Sequence, residues 1–219
     1  MNQHEQPTDP EPPATESEAA PPTAEIADQQ AIQQETTPAP TPRIWVTSEL
    51  DAANGITHGR WIDANQPVEQ LRSDIDELLA TSPYQAVTRT PATSWTVADS
   101  RDFGDCSIRE HADLQWITLV AQGIVEHGLA FAAWADVMEE EEHLAGFDTA
   151  YLGHYDSLHA YIEQLINDLG YDQLLDNAVP ASIRPYVKID ITATANDLLL
   201  GGDLHALPAP GGGVWIFRG

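Results

Sequence analysis

Four consecutive glutamates at positions 139–142 form the densest group of ionisable side chains in the chain. Carboxylates can transfer protons, bind cations or take the place of phosphates, and adjacent like charges repel one another unless a base lies nearby. No lysine or arginine occurs between Arg109 and Arg184. The same stretch holds 14 acidic residues: Glu110, Asp113, Glu126, Asp136, Glu139, Glu140, Glu141, Glu142, Asp148, Asp156, Glu163, Asp168, Asp172 and Asp176. It therefore carries negative charge that no base within it compensates.

The other side chains that could do chemistry do not form a familiar catalytic or metal-binding motif. His154 and His159 are five residues apart across an expected helix start, whereas paired ligands on one helix face lie about one turn apart. The histidines are therefore interpreted as ordinary and partly exposed. Cys106 has no evident helix start or basic partner to lower its pKa, so an inert thiol is favoured over a nucleophile. The glycines at 211–213 are expected to form a hairpin turn rather than a phosphate-binding loop.

The overall charge excludes several classes of function. The 219 residues include 35 acids and 9 bases, which gives a net charge of −26 and a pI near 4.2. Direct nucleic-acid binding requires lysine and arginine, and an anionic membrane surface would repel this chain.

The single cysteine cannot form an intrachain disulfide and fits a reducing compartment. The start MNQHEQPTDP is not a signal peptide and no apolar run is long enough to span a membrane, so a cytoplasmic location is expected.

The first 42 residues differ in composition from the rest of the chain. They contain nine of the 16 prolines, eight acids, no aromatic residue and no base. Such a segment buries too little apolar surface to offset its ordering entropy, so a disordered tail is predicted over residues 1–42. The remaining residues keep a net charge of −18, and they hold all six tryptophans. The acidic excess is thus a property of the folded part as well.

The folded part is predicted to be an α+β protein made of three small modules. Residues 43–108 form the first, with strands at 43–50, 57–64 and 94–100 and a helix from about Pro67 to Ala80. Residues 109–146 form a mostly helical middle module, with helices from about Ala112 to His127 and over 129–142. Residues 147–219 form the third. It is expected to contain a strand and turn at 147–157, a helix capped by Ser157, a mixed strand and helix segment at 186–200, and a last strand.

The acidic excess has two structural explanations, a solvated surface that aids solubility and adaptation to salt. A functional alternative is a surface that imitates nucleic acid. Duplex DNA carries one charge per about 1.7 Å, so 18 charges along one face would match about 30 Å of duplex. Carboxylates suit this role because they accept paired hydrogen bonds from the arginines of a DNA-binding groove.

Five segments stand out in this order: RIWVTSELDAANGITHGRWIDA, PVEQLRSDIDELL, EHGLAFAAWAD, FDTAYLGHYDSLHAYIEQLINDLGY and DLLLGGDLHALPAPGGGVWIFRG. They resemble successive landmarks of the ArdA antirestriction proteins, from Arg43 to Gly219. The resemblance implies an elongated string of three small α/β modules, usually dimeric, made by mobile elements or phages. It also implies a DNA mimic that occupies the DNA-binding site of type I restriction-modification enzymes. Arg184 and Lys188 interrupt the acidic pattern near the end of the chain.

The resulting hypothesis is a non-enzymatic inhibitor, with no cofactor and no metal, that binds the methyltransferase and specificity core of a type I enzyme as a homodimer. The expected phosphate-mimicking residues are Asp136, Glu139, Glu140, Glu141, Glu142, Asp148, Asp156, Glu163 and Asp168. The tryptophans are assigned to packing. Two alternatives stay open at this point. One is an acidic scaffold or chaperone-like binder of basic proteins, and the other is a hydrolase that uses a carboxylate pair.

Overall fold

A computed structural model of the protein describes residues 40–138 and 141–219. A disordered tail is predicted over residues 1–42, and positions 1–39 of that segment lie outside the described residues. The strands are β1 (Arg43–Ser48), β2 (Gly59–Asp63), β3 (Trp95–Arg101), β4 (Tyr151–Tyr155), β5 (Leu204–Pro208) and β6 (Val214–Arg218). The helices are α1 (Glu49–Ala53), α2 (Val68–Ala80), α3 (Pro83–Thr88), α4 (Leu114–His127), α5 (Leu129–Val137), α6 (Glu141–Leu144), α7 (Phe147–Ala150), α8 (Leu158–Asp168), α9 (Tyr171–Ala178) and α10 (Ile191–Leu200). The predicted α+β class is confirmed.

The first sheet is antiparallel, with the strand order β2-β1-β3. Alternate residues of β1 are buried, so Ile44 and Val46 lie on one face while Trp45 lies on the other, opposite Trp61 of β2. Helix α2 covers the buried face with Leu71 and Ile75, which follow the predicted helical spacing. All three strands and the helix predicted for residues 43–108 are confirmed to within a few residues.

The middle of the chain contains two helices that pack closely. The Asp113 side chain caps the start of α4, and Gly128 ends it with a φ of 74°. The ring of Phe131 in α5 occupies the space that a Cβ at Gly123 would need, so only glycine permits this approach of the two helices. The helix predicted over 129–142 is wrong in its length, because α5 ends at Val137 and Met138 is not helical. Glutamates at the carboxyl end of a helix oppose its dipole and repel one another, which disfavours continuation.

The second sheet is also antiparallel, with the order β4-β6-β5. Ser157 caps α8 by accepting a hydrogen bond from the Ala160 amide at 3.1 Å, as the sequence predicts. The predicted strand at 147–157 is wrong at its start, where α7 forms a helical turn before β4. The predicted strand within 186–200 is wrong as well. Asp190 caps α10 there, and its carboxylate accepts from the Ala193 amide at 3.0 Å.

Aromatic packing joins the middle helices to the second sheet. Phe217 of β6 is fully buried and lies 5.0 Å from Trp134 and 5.4 Å from Tyr151, measured between ring centroids. A smaller cluster of Ile162 and Ile216 with their neighbours fills the space between α8, α10 and the sheet. One larger core thus includes residues from all three predicted modules. The module boundaries after residues 108 and 146, and the elongated arrangement, stay predictions.

Within residues 40–138 and 141–219, every helix is too short or too polar to span a lipid bilayer.

Candidate functional site

Helix α8 presents one group of the predicted acidic residues. Ile162 is fully buried, and Glu163 and Asp168 lie on the exposed side of the same helix. Asp156 is exposed and lies just before the Ser157 cap, where negative charge interacts favourably with the helix dipole. The sequence of α8 contains no lysine or arginine. The helix therefore holds acidic groups outward on a rigid element.

A second group surrounds the ends of α4, α5 and α7. Asp136 is exposed at the end of α5 and accepts a hydrogen bond from the Ser107 amide at 3.2 Å. The Asp148 carboxylate lies 3.7 Å from Nδ1 of His127, and Glu126 lies 3.8 Å from Nε2 of the same ring. The His127 ring packs against Phe131 and Phe147. Two exposed carboxylates are thus held beside one half-buried imidazole.

Glu126 is a candidate contact residue that is not among those predicted from the sequence. Its side chain is 76% exposed, close to the 81% of Asp148. The available signal was its position in α4, where the apolar spacing of Ile117, Val120 and Ile124 places residue 126 on the solvent side. A single exposed glutamate has no local motif, so only the helix geometry singles it out.

The four glutamates at 139–142 are only partly covered by the structure. Positions 139 and 140 lie outside the described residues, and at 141 and 142 the backbone forms the start of α6. The Trp134 indole donates a hydrogen bond to the His143 carbonyl at 3.1 Å, which holds α6 near the end of α5. The role of these four side chains as phosphate mimics stays a prediction.

Arg184 marks where the uncompensated charge ends. Its guanidinium donates hydrogen bonds to Asp172 at 2.9 Å and to Asp176 at 2.6 Å, one turn apart on α9. Both hydrogen bonds, with the charges of the two carboxylates, raise the pKa of Arg184 against the opposing effect of desolvation. The guanidinium also donates to the carbonyl of Val187 at 3.0 Å. These two carboxylates are therefore engaged within the chain, unlike Asp156, Glu163 and Asp168, for which the described residues provide no cation.

The residues considered for metal binding do not come together. His154 Nε2 lies 3.0 Å from the Gly212 carbonyl, and His159 Nε2 lies 3.2 Å from the Thr192 hydroxyl. Across residues 40–138 and 141–219, no group of three or more histidine, cysteine or acidic side chains could hold a metal ion. The two histidines thus contact different parts of the chain, His154 the turn between β5 and β6 and His159 the start of α10. The glycines at 211–213 lie in the turn between β5 and β6, as predicted.

Cys106 is expected to resist alkylation in the native protein. Its side chain is buried, and burial, together with the nearby Asp136 carboxylate, raises the pKa of the thiol to about 12. The reactive thiolate is therefore scarce at neutral pH. Incubation with iodoacetamide followed by mass spectrometry should leave the native chain unmodified and label it fully in denaturant. Rapid native labelling at pH 7 would contradict an inert thiol.

The fold and surface define an acidic α+β protein with two small antiparallel sheets, whose described contact candidates all lie on the outside. The family model "Antirestriction protein (ArdA)" matches residues 44–210, which is most of the chain. The chain therefore belongs to the ArdA family of antirestriction proteins. The family resemblance noted in the sequence is confirmed. A search of curated proteins gives no match to the chain.

Proposed function

We propose that this protein is a DNA mimic that inhibits type I restriction-modification enzymes by occupying their DNA-binding site. One observation carries the proposal: every predicted contact residue whose side chain is described lies exposed, within a stretch that has no lysine or arginine. These residues are Asp136, Asp148, Asp156, Glu163 and Asp168. Membership of an antirestriction family favours this function over a general scaffold for basic proteins.

Physical chemistry supports carboxylates as substitutes for phosphates in such a complex. An arginine fork binds a carboxylate and a phosphate in similar paired geometry. The partner would be the methyltransferase and specificity core, because that part of the enzyme binds the DNA duplex. No cofactor, metal or catalytic residue is needed, since inhibition follows from occupancy alone. The mimic acts through summed charge, because one exposed ion pair contributes at most about 1 kcal/mol.

Charge-neutralising substitutions on α8 test the proposal. Asp156→Asn, Glu163→Gln and Asp168→Asn are each expected to weaken inhibition at most about fivefold, because each removes one exposed pair. The triple variant should lose about 10- to 100-fold, since the increments add in free energy. Inhibition of DNA cleavage by a type I enzyme, with thermal melts alongside, measures this.

The matched control neutralises three exposed acids outside the base-free stretch: Glu69→Gln, Asp76→Asn and Asp203→Asn. It makes the same change in net charge and should weaken inhibition less than the α8 triple variant. Neutralising Glu139–Glu142 together should also weaken inhibition, with no single one of the four essential. If the triple α8 variant inhibits as well as the parent, the contact surface lies elsewhere on the protein. Complete loss from one substitution would favour a catalytic carboxylate.

The proposal includes a homodimer formed through the last part of the chain. Helix α9 buries none of its residues, although Tyr171, Leu174, Leu175 and Ala178 recur along one side of it. Other exposed apolar side chains concentrate in residues 169–200: Leu169, Ile183, Tyr186, Leu199 and Leu200. Exposed apolar surface of this kind marks interaction sites. Arg184 pairs with both acids of α9 and offsets one of their two negative charges, which lowers the repulsion between two copies of this surface.

Leu174→Asp is expected to convert the dimer to a monomer, because it places a charge in the apolar side of α9, where Leu174 is 58% exposed. Sedimentation velocity at micromolar concentration measures the change. Val87→Asp is the control, since Val87 is 84% exposed on α3, outside this surface, and should leave the dimer intact. A parent that sediments as a monomer at every concentration would refute the dimer.

A further inference from the structure

A cavity of about 550 Å³ lies beside the proposed contact surface. It forms where the segment between β3 and α4 meets the end of α5. Asp136 is both a predicted contact residue and part of the cavity wall. A surface that imitates a duplex is expected to be convex, so a concavity within it needs a separate explanation. Cavities of this size accommodate small ligands or a short loop with one inserted side chain.

The wall of the cavity combines an aromatic ring with carboxylates. Trp116 lines it, and Cys106, Ala112 and Ala135 add apolar surface. Asp113 and Asp136 contribute carboxylates, and Arg109 and His111 contribute nitrogen atoms. The two carboxylates and the one guanidinium together carry an excess of one negative charge. The cavity therefore favours a guest that carries positive charge.

Trp116 gives the cavity wall an aromatic ring. Its indole N–H is buried, without an acceptor among the residues that the structure describes, so a guest in the cavity reaches the ring rather than that nitrogen. The face of an indole attracts cations, and a guanidinium can also stack on it as a plane. A planar cation therefore fits this wall better than a compact one.

We infer that this cavity receives an arginine side chain from a loop of the target enzyme, as an anchor for the charge-based contact. The inference rests on the proposed function. A guanidinium can stack on the Trp116 ring while it donates hydrogen bonds to Asp136. Lysine fits less well, because its compact ammonium is more strongly hydrated and cannot stack as a plane. Arginine and aromatic residues in pockets dominate the binding energy of many protein interfaces.

Substitutions of the cavity wall separate an anchor from general charge. Asp136→Asn is expected to weaken binding to the enzyme about tenfold or more, the scale of an interface anchor. Asp168→Asn changes the net charge equally on the open face of α8 and should weaken binding at most about fivefold. Trp116→Phe keeps a ring that attracts a cation less strongly than indole does, so it should weaken binding, but less than Trp116→Ala. Trp45→Phe is the aromatic control, because Trp45 lies on the first sheet and does not line the cavity.

Binding is measured with the intact enzyme in the absence of DNA, and thermal melts establish that each variant is folded. If Asp136→Asn and Asp168→Asn weaken binding equally and Trp116→Phe binds like the parent, the anchor is refuted while the mimic stands. A parent that does not bind the enzyme refutes the proposed function and the anchor together. A loss confined to Asp136→Asn and the Trp116 variants supports the anchor. Because Trp116→Phe preserves most of the packing, the test does not depend on the stability of Trp116→Ala.

Discussion

Binding of this protein to a type I enzyme is expected to weaken about 10- to 100-fold between about 50 and 200 mM salt. The base-free stretch of 74 residues from Glu110 to position 183 carries 14 acids, and a groove that binds DNA must carry the opposite charge. Salt screens exposed ion pairs. In addition, the release of counterions on binding contributes less free energy when the surrounding salt concentration is high. The effect should be smaller than for DNA, whose phosphates are more densely spaced.

The measurement is a direct titration of the enzyme with the protein, without DNA, at several salt concentrations. DNA is omitted because its own affinity for the enzyme also falls with salt. The α8 triple variant is the matched comparison, and its affinity should fall less steeply because fewer ion pairs are screened. An affinity that is flat across the range would indicate a conventional apolar interface and would contradict mimicry by charge.

Replacing Asp51 with alanine is expected to lower the free energy of unfolding by about 3 kcal/mol. Asp51 is fully buried, and its Oδ1 accepts hydrogen bonds from the Ser82 hydroxyl at 2.8 Å and the Tyr84 amide at 3.0 Å. The carboxylate thereby joins α1 to the start of α3. Alanine would leave both donors buried without an acceptor. Asp51→Asn retains one acceptor oxygen and should cost less.

The contribution of Asp51 depends on pH. Burial alone would raise the pKa of this carboxyl, but hydrogen bonds involving Ser82, Tyr84 and Ser48, with the charge of His58, hold the pKa below its ordinary value. Because the pKa of Asp51 is lowered in the folded state, its carboxylate stabilises the protein fully at pH values above the unfolded-state pKa of about 4. That stability is lost as the pH falls through the folded value. The difference between the parent and Asp51→Asn should therefore shrink below about pH 4.

Urea unfolding at pH 7 and in the acid range measures both effects. The exposed Asp76→Ala variant on α2 is the control and should stay within about 0.5 kcal/mol of the parent. An Asp51→Ala variant as stable as the control would show that the hydrogen bonds from Ser82 and Tyr84 make no net contribution to the free energy of unfolding.

The elements that the sequence predicts well have strong local signals. Helix α2 has an apolar spacing from Val68 to Leu79, and α4 combines such a spacing with Gly128 at its end. The Ser157 cap needed only a serine before an apolar helical pattern. These signals act within a few residues, so no knowledge of the rest of the fold is required.

The elements that the sequence prediction misses are short or depend on distant contacts. Helix α1 has five residues, and its only signal is Ser48 followed by Asp51, which resembles a capping box. The β-branched residues after Asp190 suggest a strand, yet the cap and packing against α8 make that segment helical. Helix α9 has only eight residues after Gly170, and its apolar residues, although they recur at helical spacing, make too short a pattern to identify a helix by themselves.

The candidate site was partly predictable because charge is visible in composition. The absence of bases between Arg109 and Arg184 identifies the acidic stretch without a structure. Which acids are engaged within the chain is a matter of three-dimensional contacts. Arg184 binds Asp172 and Asp176 across a turn and a loop, and the cavity beside Asp136 is formed by separate segments. Neither arrangement has a signature in local sequence.

Competition with DNA distinguishes a protein that occupies the DNA-binding site from one that binds elsewhere on the enzyme. A labelled duplex that contains the recognition sequence is bound to a type I enzyme, and the protein is added while the bound label is followed. Complete displacement is expected, with a half-displacing concentration that rises linearly with the DNA concentration, because the two ligands share one site. A ternary complex of enzyme, DNA and protein, or inhibition that is independent of DNA concentration, would contradict it.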